Sequence, residues 1–116
     1  MATAESIVYG VLSTLVGGNV FPDLAPPGTP APWITYQAVG GNDYTSLDGV
    51  SQTLNARMQL NVWAHTRAEA SAVMAQVRAL LTNPPTRAVP IGAAASSYES
   101  DTLLYGSRLD FSVTYS

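Results

Sequence analysis

Between Ser51 and His65, apolar and polar side chains alternate almost without a break. Leu54, Ala56, Met58, Leu60, Val62 and Ala64 fall on one side, and Asn55, Arg57, Gln59, Asn61, Trp63 and His65 on the other. Successive strand side chains point to opposite faces, so the pattern suits a strand that lays one face on a core and turns the other away. At about 3.3 Å per residue, a strand of this length runs on the order of 45 Å. That is well past the usual length and predicts that its end projects beyond the domain body. A second alternating run closes the chain, with Leu109, Phe111, Val113 and Tyr115 between Arg108, Asp110, Ser112 and Thr114.

The layer that covers these strands is written at helical spacing. Thr66-Arg-Ala-Glu69 has the form of a capping box, with Thr66 as N-cap and Glu69 at the third helical position. Ala70, Val73, Met74, Val77, Leu80 and Leu81 follow as an apolar stripe, and Asn83-Pro84-Pro85 stops the helix. A second helix is predicted from Thr3 to Val16, capped by Thr3, with Glu5 in its first turn and Gly17-Gly18 at its end. Its sticky face is Ile7, Val8, Val11, Leu12 and Leu15. Val20-Phe21 reads as a short extended piece, and Trp33 to Val39 as a strand with Ile34, Tyr36 and Ala38 on one face. Between them, residues 22–32 hold five of the eight prolines and are expected to form a semi-rigid extended connector. Residues 40–50 read as a mobile loop, and a poorly patterned strand lies somewhere within Ala88 to Glu99, before a turn at Ser100-Asp101-Thr102. The predicted fold class is α+β. It is a single domain spanning residues 1–116 in the order α-β-β-α-β-β, an antiparallel or mixed sheet with both helices packed on one face.

Composition excludes several functions. The 116 residues include five arginines, eight acids and no lysine or cysteine, for a net charge of −3. A chain without lysine has no Schiff-base chemistry and no Walker-type phosphate loop, and one without cysteine has no disulfide, thiolate zinc site or thiol nucleophile. A negative chain with no basic cluster is a poor match for a protein that holds nucleic acid. Charged residues make up 11% of the chain against about 25% in an average soluble domain, so part of the surface is expected to lie under a partner. The Met1–Glu5 start lacks the positive charge of a signal peptide. The apolar stretch from Ile7 to Val16 is broken by polar residues and far shorter than the ~20 residues of a membrane span. A soluble, intracellular chain with no membrane partner is the expectation.

Residues equipped for chemistry are sparse. His65 stands alone at a strand-to-helix junction, without the second group that a triad or metal site needs, and helix entry explains it. Asp43 with Asp48, and Glu99 with Asp101, are loop and turn acids without the dense ligand spacing of a calcium loop. Neither catalytic residues nor metal or other cofactors are expected. Three side chains on the polar strand faces are more informative. Arg57 and Arg108 could pair with Asp110 or with a neighbouring subunit's acid, and a solvated sheet face explains them equally well. Trp63 is an indole on an otherwise polar face and needs cover, from this chain or from a partner, with a partner favoured. Arg57, Trp63 and Arg108 are therefore the candidate interface residues.

Taken in order, these segments resemble the small tail-completion, or tail-terminator, proteins of long-tailed double-stranded DNA bacteriophages and gene transfer agents. The likeness rests on a first helix ending in Gly17-Gly18, then Val20-Phe21-Pro22-Asp23 and the proline-rich run into Pro32-Trp33-Ile34-Thr35-Tyr36-Gln37. It continues through Gly40-Gly41, the strand Arg57 to Trp63, the helix from Arg67 to Leu81, and the closing Tyr105 to Tyr115; Thr86 to Ser97 match least. The resemblance implies a non-enzymatic structural protein at the head-proximal end of the virion tail, assembled in the host cytoplasm. It further implies a homo-oligomeric ring, hexameric in form, that caps the tail tube, ends its polymerisation and offers a surface to a head-side connector protein. The implied partners are a second copy of the chain, the tail-tube protein and that connector, with DNA passing through the channel unbound. Asp43, Tyr44, Leu47 and Asp48 of the predicted loop are candidates for a channel or partner-facing surface. A head-to-tail connector or neck protein is the alternative reading, and a small ligand-binding αββ module a weaker one.

Overall fold

The computed structural model describes residues 2–42, 45–46, 49–50 and 53–116. Its elements are helix α1 (Ala4–Leu12), a 3-10 turn (Leu15–Gly18), and strands β1 (Val20–Pro22) and β2 (Trp33–Ala38). A small separate hairpin of β3 (Thr45–Ser46) and β4 (Gly49–Val50) follows. Then come β5 (Leu54–Ala64), α2 (Arg67–Thr82), β6 (Val89–Glu99) and β7 (Leu104–Tyr115). The main sheet has five strands in the order β1-β2-β5-β7-β6. The alternating strand thus lies at its centre. All pairs are antiparallel except β1 with β2, which run parallel. A parallel pair cannot be joined by a tight turn, and residues 23–32, proline-rich, make the crossover.

Register decides the core. Across β5 and β7, Met58 faces Phe111, Leu60 faces Leu109 and Ala56 faces Val113; across β5 and β2, Val62 faces Ile34 and Leu60 faces Tyr36. These side chains form one buried cluster with Ala4, Val8 and Leu12 of α1 and Val73, Met74, Val77 and Leu81 of α2. Both helices therefore cover the same face of the sheet, as the two stripes predict. Leu80 is the exception: it lies one position off the buried stripe and stays exposed.

Three expectations are corrected. The first helix ends at Leu12 rather than Val16, and Val16 and Gly17 take left-handed backbone angles (φ 46° and 64°) in the 3-10 turn. Ser13 and Thr14 compete poorly for helix, and the bend lets Leu15 and Val16 pack on the core. The capping box closes differently: Thr66 Oγ1 accepts the Glu69 N–H at 3.0 Å, but Glu69 Oε1 accepts the N–H of His65, not of Thr66. Finally, β5 runs from Leu54 to Ala64, shorter than the alternation from Ser51 to His65. β7 pairs with it over its whole length, from Leu54 opposite Tyr115 to Ala64 opposite Tyr105, in a molecule that measures 52 × 25 × 25 Å.

The Tyr36 phenol lies at the margin of this core, 6% exposed, with the Tyr9 ring 6.4 Å away. Burial pushes its pKa above the ordinary value of 10.0, and Tyr9, Glu5 and Asp23 push the same way. A raised folded-state value means that stability from this group is whole below pH 10 and is lost as the pH rises beyond it. Alkaline melts should show that loss, and Tyr36→Phe should flatten the decline; an identical decline in both chains would refute the assignment.

Candidate functional site: the open face of the sheet

With both helices on one side, the other face of the sheet lies uncovered by any helix among the described residues. It is built by the polar half of each alternation: Asn55, Arg57, Gln59, Asn61 and Trp63 of β5 beside Arg108, Asp110, Ser112 and Thr114 of β7. Much of it is tied together internally. Arg57 Nε donates to Asp110 Oδ2 at 2.7 Å, Asn55 Nδ2 to Ser112 Oγ at 2.8 Å, and Asn61 Nδ2 to Gln59 Oε1 at 3.3 Å. The ion pair is diagonal, since Arg57 stands opposite Ser112, and Arg57 keeps 48% of its side chain exposed against 14% for Asp110. Arg57 thus has its acid within the chain. Arg108 is exposed and makes no hydrogen bond or ion pair among the described residues.

Trp63 is half-buried, and part of its cover is its own chain. It stands opposite Trp33 on one side and Gly106 on the other. A Cβ at position 106 would sit 2.9 Å from Trp63 Cζ3, so a glycine is what lets the indole lie against that strand. The two tryptophans line a cleft of about 350 Å³ together with Thr35, Asn61, Leu24, Leu104, Asp23 and Glu99.

At the sheet edge, β6 exposes every residue but the half-buried Pro90, including Val89, Ile91 and Tyr98. Its only charge is Glu99. Its pairing with β7 breaks between Ile91 and Ala95. Long, uncharged free edges invite pairing with another chain, and Pro90 and the bulge defend only the first half of this one.

One residue escaped the sequence reading. Arg67, the first residue of α2, donates from Nη1 to the Gly106 carbonyl at 2.6 Å and from Nη2 to the Ser97 carbonyl, with its guanidinium 5.4 Å from the Tyr105 ring centroid. It pins the β6–β7 hairpin to the helix start, beneath the strand position that Trp63 covers. Its partners are backbone carbonyls 30 or more residues away, which leave no mark in a sequence.

The other candidates are scattered. Asp43, Tyr44, Leu47 and Asp48 lie outside the described residues. His65 is exposed at the helix entry. Among the described residues no three His, Cys, Asp or Glu side chains gather as metal ligands, and no helix is long and apolar enough to cross a membrane. What the site offers is a shaped polar surface with an aromatic cleft.

Comparison with known proteins places the whole chain. No curated protein matches the chain. A solved structure, the virion of a native gene transfer agent particle, contains a chain of similar fold: TM-score 0.64, 18% identity, covering 96% of this chain and 85% of that one. The family model of the tail completion protein gp17 matches residues 10–116. Spanning all but the first turns of α1, that match shows that the chain belongs to the tail completion protein gp17 family, structural proteins of the virion tail.

Proposed function

We propose that the chain is the subunit of a closed ring of identical copies, six in number, which caps the tail tube, stops its growth and presents a surface to the head-side connector. The observation that carries this reading is the open sheet face. A two-layer subunit with one layer bare has two unlike sides, and unlike sides that meet by rotation make heterologous contacts that close into rings. The free edge of β6 and the low overall charge support it further. Function is then geometric: the ring is a terminal layer on which no further tube subunit fits. A net charge of −3 per copy, with no lysine, suits a channel that DNA crosses without being held, because phosphates are repelled.

Purified protein should scatter light as a ring, alone or on contact with tube subunits; a chain that stays monomeric at high concentration in both conditions refutes the reading. Electron microscopy of particles lacking the protein separates its two possible places. Overlong tails are the expected result, whereas tails of normal length detached from heads would make it a connector.

A further inference from the structure

We propose that the cleft around Trp33 and Trp63 receives arginine from the helix side of the neighbouring copy; this rests on the ring reading and names the contact that holds it. The cleft lies on the open face, with two indoles opposite each other in adjacent strands. Asp23 approaches it from the loop after β1 and Glu99 from the end of β6. Both carboxylates are exposed, and neither makes a side-chain hydrogen bond or ion pair among the described residues. A cleft lined by two indoles and two free carboxylates suits a guanidinium, which stacks on an indole while its edge donates to a carboxylate.

The chain carries the matching groups. Lysine being absent, its cations are five arginines. Arg57 is held by Asp110 and Arg67 by the Gly106 and Ser97 carbonyls, which leaves Arg78, Arg87 and Arg108 with exposed side chains and no internal partner among the described residues. Arg108 shares the face of the cleft, so it could reach a neighbour's cleft only by a face-to-face, two-fold contact that ends at a dimer. Arg78 and Arg87 are placed differently. Arg78 lies late in α2, and Arg87 lies in the turn before β6, whose first residue pairs with Ser112 near the opposite end of the sheet from Trp63. Donor and acceptor patches thus occupy different parts of the surface, as a ring-closing contact requires. Two free arginines on one side answer two free carboxylates on the other.

The test compares ring mass and the concentration for half-assembly in the full chain and its variants, with thermal melts to confirm folding. Asp23→Asn with Glu99→Gln changes only charge at exposed positions. It should leave the melt in place and raise the half-assembly concentration about tenfold or more. Glu99→Arg should disrupt the ring, and adding Arg78→Glu or Arg87→Glu should restore it. A ring indifferent to the double carboxamide overturns the proposal while the ring reading stands. Rescue by Arg108→Glu alone overturns it in favour of a face-to-face pair. A double variant that keeps its ring but loses tube or connector binding overturns it in favour of a cation from that partner. A wild-type chain that never forms a ring removes both readings together.

Discussion

Trp63→Ala is expected to leave a cooperative fold and dissolve the assembly. The indole is half-buried at the end of the sheet, against Trp33 and Gly106, and is no member of the buried core cluster. Its removal should cost the monomer about 1–2 kcal/mol, less than a fully buried aromatic loses. Assembly should suffer more. Tryptophans at the centre of interfaces commonly contribute ~2–4 kcal/mol each, and in a ring every contact between neighbours loses that amount. The concentration for half-assembly should therefore rise by about 30-fold or more. Melts of the monomer and the mass of the ring, taken together, decide. Equal loss of both, or loss of the fold alone, would place Trp63 in the structural core and sink its interface role.

Phe111→Ala should do the reverse and strike the fold. Phe111 is fully buried on the inner face of β7, opposite Met58 of β5 and Pro90 of β6. Replacing it by alanine removes a large apolar surface and leaves a cavity in the core between the sheet and the helices, at a cost of about 3–5 kcal/mol. Domains of this size hold only about 5–15 kcal/mol in total, so a large share of the stability goes with one ring. Denaturant unfolding should show the midpoint falling sharply with little change in slope, and Phe111→Leu should recover most of the loss. A Phe111→Ala chain with an unchanged midpoint would contradict the register of β5 and β7.

The two variants separate what was legible in the sequence from what was not. The alternation of residues 54–64 and 109–115, and the stripe from Ala70 to Leu81, announced the central strands, the covering helix and the choice of buried face. The bare face opposite followed from the same parity. Thr66 as N-cap was equally plain, although its box closes on the His65 N–H, because which backbone donor Glu69 reaches depends on the side chain's rotamer and the approach of the chain. Gly17-Gly18 marked the end of the α1 region but not the earlier break after Leu12, where packing of Leu15 and Val16 outweighed a continuing apolar period. The partner of β5 was not legible either: one strand's pattern says nothing about the length of its neighbour, and β7 matches it residue for residue.

The candidate site was less legible. Arg57, Trp63 and Arg108 were visible as unusual side chains on polar faces, but their circumstances differ. Arg57 is satisfied 53 residues away by Asp110, Trp63 leans on a glycine in the next strand, and Arg108 has no internal partner among the described residues. Asp23 and Trp33, from the two ends of the crossover, and Glu99, from the end of β6, share a cleft with Trp63 that no single stretch of chain suggests. By itself, the sequence determined where the two helices and the main central strands lie, which of their faces are apolar, and how little catalytic equipment the chain carries, because period, caps and composition depend on residues a few positions apart. Tertiary structure alone decided strand order, the Arg67 clamp and the tryptophan cleft, because each depends on strand register, which brings together groups 30 or more residues apart along the chain.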